Sequence, residues 1–334
     1  MPAQSPEHLL GAQANKGEWW SVCIRPFQAS DLAALQALYE SAGLPPAVDQ
    51  AVTQPEDTLG DDALQRFVAT DGRGLVGCAY VARSAWHPPG WYQGEVFVRP
   101  IARRRGVGSA LAGRVEALAG TLGAETLTTW VDGQAPAAEH FAVRRGFAVV
   151  QRFVTMTLNV AHTEGEALDH WVSAARQRGV TLFSYEETGG TGDAPWRLYE
   201  LNRRLAPLLP GNGEAFPTFE DYRREILEAA WFRPEGQLIA AVGDRWVGLA
   251  GLGFYEEGRR LHHEFTAVDA AYQRRGIALA LKAWSVQRAR AWGVREIRTG
   301  NDHSNTAIIE LNRRLGYTLQ PGVVKLRRAF PTAP

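Results

Sequence analysis

The 334-residue sequence predicts two α+β domains in tandem. Three observations predict this. The chain matches itself when shifted by 170 positions. Each copy places hairpin-like strands ahead of a cationic, glycine-centred turn. Each turn then opens into a helix whose apolar residues recur at steps of three and four, the spacing of one buried face. In the shifted register Val98 falls on Val268, Arg104-Arg105-Gly106 on Arg274-Arg275-Gly276, and Ala110-Leu111 on Ala280-Leu281. Gly123 falls on Gly293, Thr129 on Thr299, Asp132 on Asp302, Arg144 on Arg314, Gly146 on Gly316 and Phe147 on Tyr317, with no gap. A period this long means duplicated domains, not a solenoid of short repeats.

The elements follow in the same order twice. In the first copy "CIRPF" is a strand, and Ser30-Asp31 cap a helix that runs to about Ala42. "RFVATD", "GLVGCAYVARS" and "YQGEVFV" are strands, with Asp71-Gly72 marking a hairpin turn. A helix from about Val107 to Leu122 buries Val107, Leu111, Val115, Leu118 and Leu122. "ETLTTWV" is a strand, 137–145 a helix and 148–159 a strand. Residues 160–179 read as a connector with one helix, so the domain boundary is set near 162. The second copy has strands at "TLFSYEE", "QLIAAVG", "RWVGLAGLGFY", "LHHEFTAV", "EIRTG" and "VVKLRRA". Its long helix spans Ile277 to Ala291, and a last helix spans Asn305 to Leu315. The organisation is therefore a loose, flexible tail over 1–20, a first domain over 21–161 and a second over 162–330.

Composition excludes several classes. Hydrophobic residues make up 45% and charged residues 22%, as in globular rather than disordered chains. Lys plus Arg and Asp plus Glu both number 36, so no bulk basicity points to nucleic acid or a membrane surface. No apolar run approaches the roughly 20 residues that span a bilayer. The start carries no cationic stretch followed by an apolar core, so no secretory signal is expected. Cys23 and Cys78 alone cannot build a disulfide scaffold or a four-ligand zinc site, and no metal is expected; this usage fits a reducing cytoplasm.

The glycine-centred turn has a direct physical reading. The first turn of a helix leaves backbone N–H groups without partners, and the helix dipole adds partial positive charge there. A phosphate meets both needs. Glycine lets the backbone approach the ligand, and arginines neutralise further charge. A P-loop would need Gly-Lys-Ser/Thr, which neither copy has. A dinucleotide fingerprint would need a third glycine where Leu111 and Leu281 stand. The stretches "QRRGIA" (Gln273 to Ala278) and "RRRGVG" (Arg103 to Gly108), each followed by a strand and "NRRLGY" or "VRRGF", resemble the signature of the GNAT superfamily of N-acetyltransferases. The resemblance covers most of both halves. It implies a mixed, mostly antiparallel central sheet with helices on both faces in each domain.

It also implies a cofactor, acetyl-CoA. The turn would hold the pyrophosphate, and the end of the preceding strand would meet the pantetheine arm. Carried onto this sequence, those positions are Val268 with Arg274, Arg275, Gly276, Ile277, Ala278 and Leu279, and Val98 with Arg104, Arg105, Gly106, Val107, Gly108 and Ser109. The family places a base on the strand before the turn. Glu264 and His262 lie four and six residues before Val268, and even spacing predicts one face shared by all three. Glu264 is the expected base, with His262 assisting. Asn301 and Asn305 match family positions that bond the pantetheine and phosphate arm. Where the family commonly has a tyrosine that donates to the leaving sulfur, this chain has Asn312, which is no acid near neutrality. Asn312 is thus expected to orient the cofactor, with water, Tyr255 or Tyr317 as other sources of the proton.

The same positions in the first half read differently. Glu264 becomes Gly94, His262 becomes Tyr92, Asn301 becomes Val131, Asn305 becomes Ala135 and Asn312 becomes Ala142. Glu95 is one residue out of phase. The first domain is expected to keep its phosphate turn and to be catalytically degenerate. The acceptor is expected to be a primary amine of a small molecule, attacked directly by acetyl transfer, in a monomer or homodimer with no nucleic-acid or membrane partner. Its pocket would fall within Trp196 to Phe232, where Tyr199, Phe216, Phe219, Tyr222 and Trp231 mix with Glu214, Glu220 and Asp221. Aromatic walls with carboxylates suit a cationic amine. The alternative is that the aromatics are core and the acids a solvated surface. The other class of function is a non-catalytic CoA-binding or scaffold protein made of two worn transferase domains.

Overall fold

The structure, a computed structural model, describes residues 8–13, 19–40, 64–210, 215–255 and 258–330. The chain divides into two compact units. One comprises residues 1–130, 142–148 and 326–334; the other comprises 131–141 and 149–325. The units interleave along the chain, whereas the sequence repeat divides near 162. We propose the latter as the junction of the duplicated segments.

In the first unit, strands β1 (His8–Gln13), β2 (Trp19–Pro26), β3 (Leu64–Asp71), β4 (Gly74–Ala82) and β5 (Trp91–Val98) pair antiparallel in sequence order. β6 (Thr126–Asp132) then pairs parallel with β5. Helix α1 (Leu32–Glu40) packs Leu35, Leu38 and Tyr39 against Val68, Leu75, Cys78 and Tyr80 on one face. Helix α2 (Val107–Thr121) lies on the other, where a Cβ on Gly94 would come within 2.6 Å of Val115. The strand β1 departs from the expected loose tail. "HLLGAQ" has no alternation to announce a strand; a backbone ladder along β2 needs none.

The second unit repeats the plan. Helix α3 (Pro136–Arg144) and strand β7 (Ala148–Asn159) precede helix α4 (Gly165–Gln177). Then come β8 (Val180–Ser184), helix α5 (Ala194–Leu205), the short helix α6 (Phe219–Tyr222), β9 (Phe232–Val242), β10 (Arg245–Tyr255) and β11 (Arg260–Val268). Helix α7 (Ile277–Ala291), β12 (Glu296–Asp302), helix α8 (Thr306–Arg314) and the part of β13 (Thr318–Ala329) up to Lys325 complete it. The order across the unit's sheet is β7-β12-β11-β10-β9-β8, antiparallel except for the parallel pair β11–β12. Apolar residues of α4, α7 and α8 bury one face against Leu238, Leu252, Leu261 and Val268. Leu198, Leu201 and Leu205 of α5 bury the other against Ile239, Leu249 and Ala267. These helices bury apolar residues against the sheets, and each domain is the expected mixed α+β sheet with helices on both faces.

One local feature decides where the site's side chains point. Phe265 of β11 pairs with Gly251 and His263 with the next residue, Leu252, so Glu264 is an extra residue in its strand. This bulge breaks the alternation. Leu261 and Val268 face α7 although an odd number of steps separates them. Glu264, whose carboxylate would sit 2.7 Å from a Cβ on Gly253, points to the α5 side. The expectation that Glu264 and His262 share a face with Val268 is therefore corrected, because even spacing holds only in an unbroken strand.

Candidate active site

The two glycine turns adopt the same unusual backbone. Gly276 has φ +80° and Gly106 φ +84°, each as the residue capping its helix. Arg274 (φ 59°) and Arg104 (φ 63°) are the only non-glycine residues with positive φ among the described residues. A non-glycine side chain there costs of order 1 kcal/mol or more, so the strain marks a position that the surrounding structure holds in place. Left- and right-handed residues in succession turn consecutive N–H groups into a concavity that fits an anion. The helices continue that surface. Ala280 N–H is bonded to Gly276 carbonyl, while the N–H groups of Ile277, Ala278 and Leu279 lie in the first turn, ahead of the helix's own ladder.

Side chains buttress the second turn. Gln273 donates to Val268 carbonyl at 3.0 Å, and Arg275 donates to Ala271 carbonyl at 3.0 Å while lying 5.0 Å from the Tyr272 ring centre. Asp269 accepts from Ala271 N–H and from Arg245. Arg178, at the end of α4, donates to Arg275 carbonyl at 3.2 Å and lies 3.4 Å from where a Gly276 Cβ would be. This brings another cation to the turn from 97 residues away. No pattern near Arg178 announces it. A Cβ at Gly106 would meet nothing within 4 Å among the described residues, so none of their side chains stands at that point of the first turn.

Between β11 and β12 lies a cleft. Their parallel pairing covers Arg260 to His263 against Glu296 to Thr299; beyond it β11 runs on to Val268 paired only with β10, and β12 to Asp302 paired only with β7. A cavity of about 180 Å³ occupies the gap. Its walls include Glu264 and Thr266 of β11, Asn301 and Asp302 of β12, Lys282 of α7 and Asn305 at the start of α8. Several wall groups lack partners. The Asn301 amide nitrogen, Thr266 hydroxyl and His263 Nδ1 are buried without a hydrogen-bond partner among the described residues. Buried polar atoms without partners are costly, so this wall is built for a polar ligand. Asn305 caps α8 by accepting from Ile308 N–H at 3.3 Å, and Asp302 accepts from Ser304 and Gln151.

Glu264 sits at the centre of a small network. Tyr255 donates to its Oε1 at 2.7 Å and His262 Nδ1 lies 3.1 Å from the same oxygen. The Glu264 side chain is 31% exposed. Its desolvation pushes the carboxyl pKa up; the hydrogen bond and charge of His262, with the Tyr255 hydroxyl, outweigh this and hold it below the ordinary value. At neutrality Glu264 is a carboxylate. Behind it, Lys282 is 1% exposed, lies 5.2 Å from the Tyr317 ring centre and is brought down to about 7 by burial. His263, bonded to Ser285 at 3.0 Å, is held far below the usual histidine range by burial and by Lys282. It is a neutral imidazole.

Other expected residues stand apart. Asn312 is 0% exposed and reaches only the Met156 sulfur, at 3.6 Å. It does not line the cleft. Tyr317 is buried and its hydroxyl has no partner, and the Tyr255 hydroxyl is committed to Glu264; burial raises both pKa values. Tyr199 and Tyr222 are buried and stack with Phe216 and Phe219 as core, leaving Trp196 of that cluster half exposed at 50%. Glu220 pairs with Arg223 and Asp221 with Arg224, so these acids form a solvated surface rather than an amine pocket. Glu214 lies outside the described residues. Of the described residues in this stretch, Leu209 and Pro210 line the cleft.

In the first unit Glu95, one residue beyond Gly94 and expected to be out of phase, carries an analogous network. β5 pairs with β4 without a bulge, so Glu95 and Gln93 face the α1 side. Gln93 donates to Glu95 at 2.9 Å and to the Tyr80 hydroxyl at 3.0 Å. Burial raises Glu95 to about 7. Among the described residues no cluster of His, Cys, Asp and Glu is arranged to hold a metal ion, and no helix is long and apolar enough to cross a membrane.

Comparison with known proteins agrees with this architecture. A mycothiol acetyltransferase from Geodermatophilus obscurus is 29% identical over 309 residues, covering 90% of this chain and 94% of that protein. One from Catenulispora acidiphila is 27% identical, covering 89% and 95%. Among solved structures, a GCN5-related N-acetyltransferase from Sphaerobacter thermophilus aligns with TM-score 0.67 at 21% identity, covering 93% and 97%. A tandem GNAT protein from the clavulanic acid biosynthesis pathway aligns with TM-score 0.65 at 18% identity, covering 94% and 99%. The Acetyltransferase (GNAT) family profile matches twice, at residues 32–147 and 194–317. The chain is an N-acetyltransferase, and it belongs to the GNAT family.

Proposed function

We propose that the second unit transfers acetyl from acetyl-CoA to a primary amine of a small molecule by direct attack, and that the acceptor is of the mycothiol class named by the relatives. The observation that carries this reading is the joining of three parts in one unit: a strained anion-binding turn at Gly276, an unpaired gap between β11 and β12, and a carboxylate at its edge. Acetyl-CoA, when bound, supplies an electrophilic carbonyl and a thiol leaving group. Arg274, Arg275 and the N–H groups of Gly276 to Leu279 would hold its pyrophosphate, with Arg178 beside them. Asn301, Thr266 and Asn305 offer the polar wall for the arm that enters the cleft.

Glu264 is the proposed base. An alkylammonium loses its proton only near pH 10.4, about three pH units above neutrality, so the attacking nitrogen needs a proton acceptor. His262 fixes the carboxylate, and the pair can pass a proton to solvent through one shared oxygen. We propose that the first unit keeps its anion turn and is catalytically degenerate: the first repeat has Ala112 for Lys282, Val131 for Asn301 and Ala135 for Asn305. The non-catalytic scaffold reading has no comparable support, since the second unit retains each part. Calorimetry with acetyl-CoA followed by thiol release across an amine panel tests the proposal. Binding with turnover on an amine is the expected result; binding with no turnover on any amine supports the scaffold.

A further inference from the structure

The mechanism above leaves the CoA sulfur without a proton donor, and the structure withdraws the obvious candidates. Asn312, which stands where the family has its tyrosine, is sealed against Met156. Tyr255 already donates to Glu264, and Tyr317 is absent from the cleft wall. One titratable group remains on the α7 side of the cleft with no role assigned. Lys282 lies six residues beyond Gly276, on the buried face of the helix that begins at the turn. It lines the gap between β11 and β12, as Glu264 does. The groups facing it are His263 from β11 and Tyr317 ahead of β13, with Asp302 from β12 and Glu264 on the same cleft wall; no ion pair joins Lys282 to any described carboxylate.

We propose that Lys282 donates the proton that the sulfur takes up as the thioester breaks. This rests on the reading that acetyl-CoA occupies the cleft of the second unit. The accounting closes. As the nitrogen–carbon bond forms, the amine's surplus proton passes to Glu264. As the carbon–sulfur bond breaks, its electron pair stays on sulfur and takes a proton from Nζ of Lys282. The carboxylic acid and the neutral lysine then exchange with water and reset.

Three further features fit this role. A lysine titrating near 7 is matched to proton transfer at neutrality, whereas an ordinary one near 10.4 is not. The neutral His263 beside it does not compete for the proton. In the first repeat the four positions are Ala112, Gln93, Val115 and Phe147, in place of Lys282, His263, Ser285 and Tyr317. The group thus vanishes as a set from the copy proposed to be inactive.

The experiment uses the full chain with Lys282→Met, an apolar replacement of similar length, and Lys282→Arg, which keeps charge but does not release a proton near neutrality. The first readout needs no turnover: affinity for CoA and for desulfo-CoA, by calorimetry. Wild type is expected to favour CoA over desulfo-CoA by about tenfold, the weight of one charged hydrogen bond. Lys282→Met is expected to bind desulfo-CoA as wild type does and to lose the preference. The second readout is kcat against pH. Wild type should lose rate above about pH 7, where Lys282 deprotonates. Both variants should drop about 100-fold at their best and lose that limb. A purely structural lysine would lower the rate and leave the limb in place. A preserved sulfur preference or a preserved limb in Lys282→Met overturns the proposal while wild-type turnover stands. Failure of wild type itself to bind CoA overturns the underlying reading and this proposal with it.

Discussion

In the second unit Glu264 takes a hydrogen bond from Tyr255 and another from His262, two residues back in its strand. In the first, Glu95 is bonded by Tyr80 and by Gln93, again two residues back. Both carboxylates face away from the long helix that follows the glycine turn. Burial raises both, yet Glu264 ends below its ordinary value and Glu95 ends near 7. The difference is the neighbour. An imidazole can carry charge and favours the carboxylate; an amide cannot, so desolvation decides. The same contact pattern therefore gives a carboxylate at neutrality in one unit and a half-protonated acid in the other. The turns differ in the same direction, with Arg178 standing over Gly276 and no described side chain over Gly106.

This contrast can be broken at each of its parts. The largest effect belongs to the carboxylates: Glu264→Gln is expected to lower kcat by about 10²–10⁴, measured as thiol release at saturating acetyl-CoA, with Glu95→Gln unchanged. Equal losses in both would erase the assignment of chemistry to one unit. A smaller effect belongs to the turn. Arg178→Ala should weaken CoA binding about tenfold in calorimetry, and added salt should shrink the gap between variant and wild type. An unchanged Kd would leave Arg178 a helix-end contact only.

The finest effect is on pH. His262→Gln gives the second unit the neighbour that the first has, so the Glu264 pKa should rise and the acidic limb of the rate profile should move to higher pH. In the first unit the sign for stability is opposite to that of an ordinary ion pair. The Glu95 pKa in the folded protein, about 7, lies above its ordinary 4.5. Its contribution to stability is present in full below about pH 4.5 and is lost as pH rises through 7. Glu95→Gln should thus melt higher than wild type by about 5 °C near pH 8.5, with the gap closing toward pH 5. A gap independent of pH would remove titration as its cause.

Much of this was legible in the sequence. The long helices Val107–Thr121 and Ile277–Ala291 fall where their apolar spacing placed them, because each buries one face on its own sheet. The glycine turns were legible because their backbone demands glycine. Two things were not legible, for different reasons. The bulge at Glu264 depends on how β10 pairs with β11, and one strand's sequence does not reveal its partner's register. Arg178 reaches the turn across 97 residues. Lys282 did leave a trace: Lys282, Ser285 and Ala289 follow steps of three and four on a buried face, so a lysine there was out of place. The aromatic stretch around Tyr199 misled because core packing and a ligand wall draw on the same residues.

The most direct test compares the two turns. Gly276→Trp and Gly106→Trp each force a bulky side chain onto a left-handed backbone position at the start of a helix. Thiol release from acetyl-CoA in the presence of the amine acceptor is the measurement. The predicted result is loss of turnover in Gly276→Trp with near wild-type turnover in Gly106→Trp. Turnover abolished by Gly106→Trp and intact in Gly276→Trp would contradict the assignment of catalysis to the second unit.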